Sequence, residues 1–311
     1  MPFSADAFRV FSLGKGELFF SACAILLPDV PVERANYAEA NIRISVSADY
    51  SSKNEFCYLR IREDVVEIHC RDEAGARNAA AILAQILRKN EGGYTLPCGD
   101  IRDWPDAQYR AFMVESSGRV WVPMETMRRD IREMALCRMN VLQFHFMEDP
   151  GCTVPLTSVP NFKGGPNNEK FTRAEVDDMI AFAAQLGIRV VPFIEILSHA
   201  ADFAIAEDLM CPGDNLENLY DVCLGQEKTY AAIEKVIREV AEIFPDEVIH
   251  IGADEYDMSR VTPKTAYWDK CPHCRKRMEE KGYTTLRELF LYGISRINEI
   301  VNDAGKVMMM W

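Results

Sequence analysis

Apolar and polar residues alternate along 41–47, 56–61 and 65–70, the period of two that marks half-buried strands. A turn at Glu63 and Asp64 makes the last two a hairpin. From Asp72 onward the period lengthens. Ala76, Ala79, Ala80, Leu83, Ile86 and Leu87 fall on one face of a helix predicted from 73 to about 88, with Asp72 placed to cap it. A helix laid on an antiparallel sheet is a stable two-layer unit, so residues 1–100 are predicted to form a small α+β domain. Its polar residues read as a solvated face without chemistry.

Turn-forming residues fill 97–108, and the pattern then changes. Short apolar runs at 111–114, 140–146, 188–196, 247–251 and 307–311 alternate with helical stretches at 123–136, 172–185 and 227–243 and after Thr285. Thr172 with Glu175, and Thr285 with Glu288, have capping-box spacing, and Gly187 ends the helix it follows. Alternation of this kind packs as a parallel sheet whose closed form is the (β/α)8 TIM-type barrel. Only five strands are predicted between 111 and 311, where a closed barrel has eight in about 250 residues. The expected fold is therefore a TIM-type barrel over 101–311, truncated after about five strands with its C-terminal part missing, preceded by the small α+β domain.

Charge narrows the partners. Lys and Arg number 35 against 48 Asp and Glu, a net charge of −13. Such a surface repels phosphate backbones and anionic lipid, so neither nucleic acid nor membrane is an expected partner, whereas a neutral small molecule meets no such barrier. The first residues show no basic segment followed by an apolar run, and no stretch approaches the roughly 18 apolar residues of a membrane span. Cytoplasm is the default location. The ten cysteines are scattered and read as reduced core thiols rather than a disulfide framework. Cys271-Pro-His-Cys274 has the spacing of half a zinc site, but a lone CxxC lacks the second pair and Cys211 or His273 would have to be recruited, so no metal is expected. Lys163-Gly-Gly is too short for a phosphate loop. Composition leaves the oligomeric state open.

In barrels of this kind chemistry sits just beyond the C-terminal ends of the strands. Those positions hold Glu115 and Arg119 after the first strand, and His145, Glu148 and Asp149 at the second. Glu195 and His199 follow at the third, Asp254 and Glu255 at the fourth, and Trp311 at the fifth. A single acid there is more often a helix cap or a solvated loop residue. Recurrence at successive strands points instead to a site, with acids for proton transfer, charged groups for hydroxyls and aromatic faces for pyranose rings.

The segment His250-Ile-Gly-Ala-Asp-Glu255 resembles the H-I-G-(G/A)-D-E motif of family 20 glycoside hydrolases, the β-N-acetylhexosaminidases. Further segments match in order: Tyr109-Arg110-Ala-Phe-Met-Val-Glu115, Asn140-Val-Leu-Gln-Phe-His-Phe-Met-Glu-Asp149, Val191-Pro-Phe-Ile-Glu-Ile-Leu-Ser-His199, and the stretch through Trp268 to Cys274. The first hundred residues resemble the family's small non-catalytic domain. The resemblance implies hydrolysis of terminal β-linked N-acetylhexosamine, GlcNAc or GalNAc, by a retaining mechanism in which the substrate's acetamido oxygen is the nucleophile and an oxazolinium ion the intermediate. On it, Glu255 matches the general acid and Asp254 the residue orienting the acetamido group. Arg119 matches the sugar-binding arginine, one residue late; Glu148 and His199 match an acid–histidine pair supporting the acid, and Trp311 matches a tryptophan of the acetamido pocket. His145 completes the candidate substrate-binding set. No metal and no cofactor are implied.

Adjacent strand residues face opposite ways, so Asp254 and Glu255 share a pocket only if the chain bends past the strand end, and Gly252-Ala253 offers little resistance to that. The sequence also departs from the family: Glu115, Glu148 and Glu195 stand where Asp is usual, Gln143 replaces a His, and Leu197-Ser198 replaces Pro-Gly. Two alternatives therefore stand beside the hexosaminidase reading. One is a catalytically weak or inactive amino-sugar-binding protein on the same fold; the other is a glycosidase of different glycan specificity.

Overall fold

The computed structural model describes residues 1–211, 222–254 and 267–311. Packing divides it into two compact units. One comprises Met1–Phe112, Glu125–Val141 and Ala181–Arg189, the other Met113–Met124, Leu142–Ile180 and Val190–Trp311.

The N-terminal part of the first unit runs β1 (Phe3–Ala5), β2 (Phe8–Leu13), α1 (Glu17–Leu26), β3 (Val32–Arg34), β4 (Ile42–Val46), β5 (Cys57–Ile61), β6 (Val66–Cys70), α2 (Glu73–Ile86), β7 (Arg88–Asn90), β8 (Gly93–Leu96) and β9 (Gly99–Asp103). Six strands form one sheet in the order β3-β2-β4-β6-β5-β9, and β1, β8 and β7 form a smaller one. The predicted hairpin is β5–β6, with Ile61 opposite Val66. Asp72 caps α2 by accepting the Gly75 N–H at 2.8 Å. The sheet is mixed rather than wholly antiparallel as expected: β2 pairs parallel with β3 and β4, and β4 with β6. Parallel neighbours need a crossover, and α1 supplies it between β2 and β3. That helix gives little sequence signal because Gly16 at its N-cap has no side chain to bond the first turn.

The polar residues of α2 are not all a solvated face. Arg77 and Asn78 are buried. Arg77 Nη1 donates to the Met139 carbonyl at 3.1 Å, and its Nη2 lies 3.6 Å from Glu55 Oε2. Arg110 Nη2 reaches the same carboxylate oxygen at 2.6 Å. The Asn140 amide donates to Glu55 Oε1 at 3.4 Å and accepts the Arg110 N–H at 3.0 Å. Burial pulls Arg77 down to about 10, so it stays charged at neutral pH. One carboxylate thus balances two guanidinium groups. It also ties the stretch around Met139 and Asn140 to α2, a reason why Glu125–Val141 packs with the N-terminal sheet.

The rest of the chain is the barrel: β10 (Ala111–Glu115), α3 (Met124–Leu136), β11 (Val141–Glu148), β12 (Gly151–Cys152), α4 (Arg173–Gln185), β13 (Arg189–Ile194), α5 (Ala201–Ala206), α6 (Glu227–Ile243), β14 (Val248–His250), α7 (Pro272–Lys281), α8 (Leu286–Asp303) and β15 (Val307–Met309). The five predicted strands stand side by side in chain order, β10-β11-β13-β14-β15, with β12 folded back antiparallel on β11. Strand β14 pairs parallel with both β13 and β15. Both capping boxes form, Glu175 N–H to Thr172 Oγ1 at 3.2 Å and Thr285 with Glu288. Helices α5 and α7 were not apparent in the pattern, being short and having no capping side chain at their own N-cap residue. The fold is a partial TIM-type barrel preceded by a small N-terminal domain. Among the described residues no helix is long and apolar enough to cross a membrane.

Strand β11 is buried along its whole length, which its apolar run anticipates. Phe144 and Phe146 pack into an aromatic layer with Phe171 and Phe244, and Trp121 lies 4.4 Å from the Phe171 ring centroid. His145, between them, takes the opposite face and stacks on Phe193 at 4.0 Å.

Replacing Glu55 with Gln keeps the shape but leaves two guanidinium groups, one of them fully buried, without their counter-charge. Breaking a buried ion pair from one side costs about 3 kcal/mol or more. The urea midpoint of E55Q should fall accordingly at neutral pH; an unchanged midpoint would mean that the cluster contributes nothing to stability.

Candidate active site

One face of the barrel sheet carries Gln143, His145, Phe193, His250, Met309 and Trp311. The Phe193 ring lies 4.0 Å from that of His250, and the Trp311 ring meets His250 edge-on at 5.0 Å. Gln143 Nε2 donates to Met309 Sδ at 3.7 Å. Burial, with the positive charge of neighbouring groups adding, pulls His145 down to about 3; burial pulls His250 down to about 4 against the opposing charge of Asp254. Both imidazoles are neutral over the physiological range. Trp311 is itself exposed, and its N–H donates to the Gly252 carbonyl at 3.1 Å.

Past β14 the chain bends as required. Gly252 and Ala253 take φ values of 69° and 70°, two successive left-handed residues. The bend is filled from below by Glu195. A Cβ at position 252 would lie 1.8–2.0 Å from the atoms of the Glu195 carboxyl group, so only glycine fits. The Ala253 N–H donates to Glu195 Oε2 at 3.1 Å, and the Ser198 hydroxyl lies 3.4 Å from the same oxygen. The turn delivers Asp254 to the rim, where its Oδ1 is 3.8 Å from His199 Nε2.

His199 links the two halves of the rim. Its Nδ1 is 3.6 Å from Glu148 Oε1 and 3.3 Å from Arg119 Nη2. A guanidinium only donates, so Nδ1 is the acceptor in that contact and the ring proton resides on Nε2, towards Asp254. Arg119 is ion-paired with Glu148 and donates to the Asp149 carbonyl at 3.4 Å. Glu148 Oε2 in turn is 3.8 Å from His145 Nε2 and accepts from the Ser117 hydroxyl at 3.5 Å. Arg119, His145, Glu148, His199 and Asp254 therefore form one continuous cluster. Glu255 lies outside the described residues.

Acids outnumber bases here, and protonation follows. Burial, reinforced by the Asp254 charge and a hydrogen bond between the two carboxyl groups, pushes Glu195 up to about 9. Burial also pushes Glu148 up to about 7, opposed by Arg119 and reinforced by Glu115, Asp149 and Asp254. Glu195 is thus a neutral acid that donates to Asp254. Asp149, one of the rim acids, is a helix cap: its carboxylate accepts the Ala201 and Asp202 N–H groups at 2.9 and 2.7 Å.

A model of the glycosyl hydrolase family 20 catalytic domain matches residues 108–311, and one of domain 2 of the same family matches 22–104. The chain belongs to glycosyl hydrolase family 20. Among its relatives in this family are the β-hexosaminidases of Vibrio furnissii, 28% identical over 81% of this chain and 45% of that protein, and of Porphyromonas gingivalis, 29% identical over 87% and 37%. The chain spans less than half the length of these curated relatives. The crystal structure of the Bacteroides fragilis β-N-acetylhexosaminidase matches with a TM-score of 0.85 at 26% identity, covering 99% of this chain and 63% of that one. The exo-β-N-acetylglucosaminidase of Vibrio harveyi, solved in complex with N-acetylglucosamine, shares the fold, with a TM-score of 0.85 at 24% identity over 100% of this chain and 52% of its own.

One member of this cluster escaped the sequence, and the part played by another did. Ser117, fully buried, donates to Glu115 Oε1 at 3.0 Å and bridges to Glu148; a serine after a strand carries no distinguishing pattern. Glu195 was recognised as a rim acid, but its part in seating the Gly252 turn depends on packing. Apart from this cluster, Cys211, Cys223, Cys271 and Cys274 are buried together, a grouping of which only the Cys271–Cys274 half had a sequence signal. His273 is exposed and takes no part in that grouping.

Glu195 binds its proton more tightly folded than unfolded. Between the ordinary carboxylate range and about 9 the folded state holds more protons, so this group's contribution lowers stability as pH rises. Glu195→Gln removes that dependence while keeping a donor towards Asp254. The variant's melting temperature relative to wild type should rise from pH 5 to pH 8; a difference that is constant or falls over that range would show that Glu195 is ionised in the fold.

Proposed function

We propose that the polypeptide carrying this chain is a β-N-acetylhexosaminidase that removes terminal N-acetylhexosamine by a retaining, substrate-assisted mechanism. The observation that carries this reading is the state of Asp254. Its Oδ1 accepts no hydrogen bond from a described residue, while 36% of its side chain is exposed at the rim. The acetamido N–H of a bound sugar is a donor of the right kind, and binding it turns the acetamido oxygen towards C1. That a relative of the same fold was solved with N-acetylglucosamine supports the choice of ligand.

In the first step the acetamido oxygen forms a bond to C1 as the bond from C1 to the glycosidic oxygen breaks, and Glu255 gives its proton to the departing oxygen. Positive charge spreads over the oxazolinium ring, where Asp254 stabilises it. In the second step water attacks C1, its proton passes to Glu255, and the acetamido group is restored. Glu195, holding a proton beside Asp254, keeps a second negative charge out of the pair during both steps. Arg119, held by Glu148, presents its guanidinium to the sugar hydroxyls at the exposed side of the cluster.

Glu255→Gln should lower kcat/KM on unactivated β-GlcNAc disaccharides by about 100-fold to 10,000-fold, and far less on nitrophenyl glycosides, whose leaving groups need no proton. Asp254→Asn should lower kcat with little change in KM, since its contribution is made to the transition state. Equal losses for E255Q on both substrate types, or turnover that a GlcNAc-thiazoline fails to inhibit, would overturn this mechanism.

A further inference from the structure

We propose that Cys211, Cys223, Cys271 and Cys274 bind a zinc ion as a closed tetrathiolate site. The four Sγ atoms lie within 4.8 Å of one another, and all four residues are buried. Sulfur atoms are separated by 3.9 Å from Cys211 to Cys274, 3.6 Å from Cys223 to Cys271 and 3.7 Å from Cys223 to Cys274. A tetrahedron of thiolates about 2.3 Å from zinc has edges of about 3.8 Å, which these distances match. A disulfide needs about 2.05 Å, and no disulfide joins any of the ten cysteines.

Two parts of the backbone face each other around the cluster. Cys271 is the N-cap of α7 with Pro272 at its first turn, so Cys271 and Cys274 project from one helix start, and the Arg275 N–H returns to the Cys271 carbonyl at 2.9 Å. On the other side the Cys223 N–H donates to the Leu209 carbonyl at 2.8 Å, and the Gln226 amide to the Met210 carbonyl at 3.2 Å. Gly225 allows the close approach of the two: a Cβ there would lie 2.3–2.4 Å from backbone atoms of His273 and Cys274. The Trp268 indole N–H donates to the Val222 carbonyl at 3.0 Å and the Thr229 hydroxyl to the Cys223 carbonyl at 2.6 Å, fixing the surround.

Four thiolates complete a tetrahedral shell and leave no position for water or substrate, so the ion is structural rather than catalytic. Its value lies in what it ties together. Cys211 and Cys223 belong to the connection between α5 and α6, and Cys271 and Cys274 to the connection between β14 and α8. The second of these begins at Asp254 and, in sequence, carries Glu255. The ion thus cross-links the connections that follow two successive barrel strands. None of this depends on the glycosidase reading.

The full chain, purified from zinc-replete cells without chelator, should contain one zinc per polypeptide by inductively coupled plasma mass spectrometry. A mercurial reagent should release that zinc to a colorimetric chelator, and cobalt should replace it with the strong visible bands of a tetrahedral thiolate complex. Cys223→Ser and Cys274→Ser should lose the stoichiometric metal, whereas Cys98→Ser and Cys137→Ser, at exposed cysteines, should keep it. Because a ligand variant could fail to fold, the wild-type protein is decisive. Wild-type protein without stoichiometric metal, with these four cysteines alkylated as free thiols or lighter by the mass of disulfide formation, would overturn the proposal, as would iron in place of zinc.

Discussion

The Glu195 carboxyl group occupies the space that any side chain at position 252 would need, and the candidate site is arranged around that contact. A strand points successive residues to opposite faces, so a straight continuation of β14 could not present Asp254 and the next residue of the sequence to one pocket. Two left-handed residues redirect the chain, a conformation that costs least at glycine and more at Ala253. Hydrogen bonds from Ala253 to Glu195, from Gly252 to His250 Nδ1, and from Trp311 to Gly252 hold the turn in place. They come from three different strands or strand ends, so the barrel itself is the template for the bend.

The same contact organises the charges. Placing Glu148, Glu195 and Asp254 in one buried region would be prohibitive if all were ionised. Burial shifts the balance so that Glu195 keeps a proton, Glu148 pairs with Arg119, and the histidines on the inner face stay neutral. Asp254 is left with an oxygen that accepts no hydrogen bond from a described residue. A neutral, hydrogen-bonding ligand fits such a surface better than an anion would, in keeping with the acidity of the whole chain.

Much of this was legible in the residues themselves. Strand β11 and helix α6 follow directly from hydrophobic period, and Asp72, Thr172 and Thr285 cap helices through spacing rules that depend only on local chemistry. The residues collected at strand ends converged because the barrel places every such position on one rim. What escaped the sequence depends on distance in space. Parallel pairing of β2 with β4 follows from a crossover that local period does not reveal. Arg77 looks like any exposed helical arginine until Glu55 and Arg110 are brought to it. Asp149 reads as a rim acid, yet it caps α5. Cys211 and Cys223 carry no spacing signal that links them to Cys271 and Cys274, since the connection runs through the fold.

The central claim is that the Gly252 turn, seated on Glu195, is what positions Asp254 for an acetamido group. Calorimetric titration of the Gly252→Ala protein with a GlcNAc-thiazoline tests it most directly, with circular dichroism to establish that the barrel remains folded. A misplacement of about 1 Å costs on the order of 100-fold in rate, and binding of this mimic of the cyclised intermediate should weaken by a similar factor. Wild-type affinity in a folded Gly252→Ala protein would contradict the account.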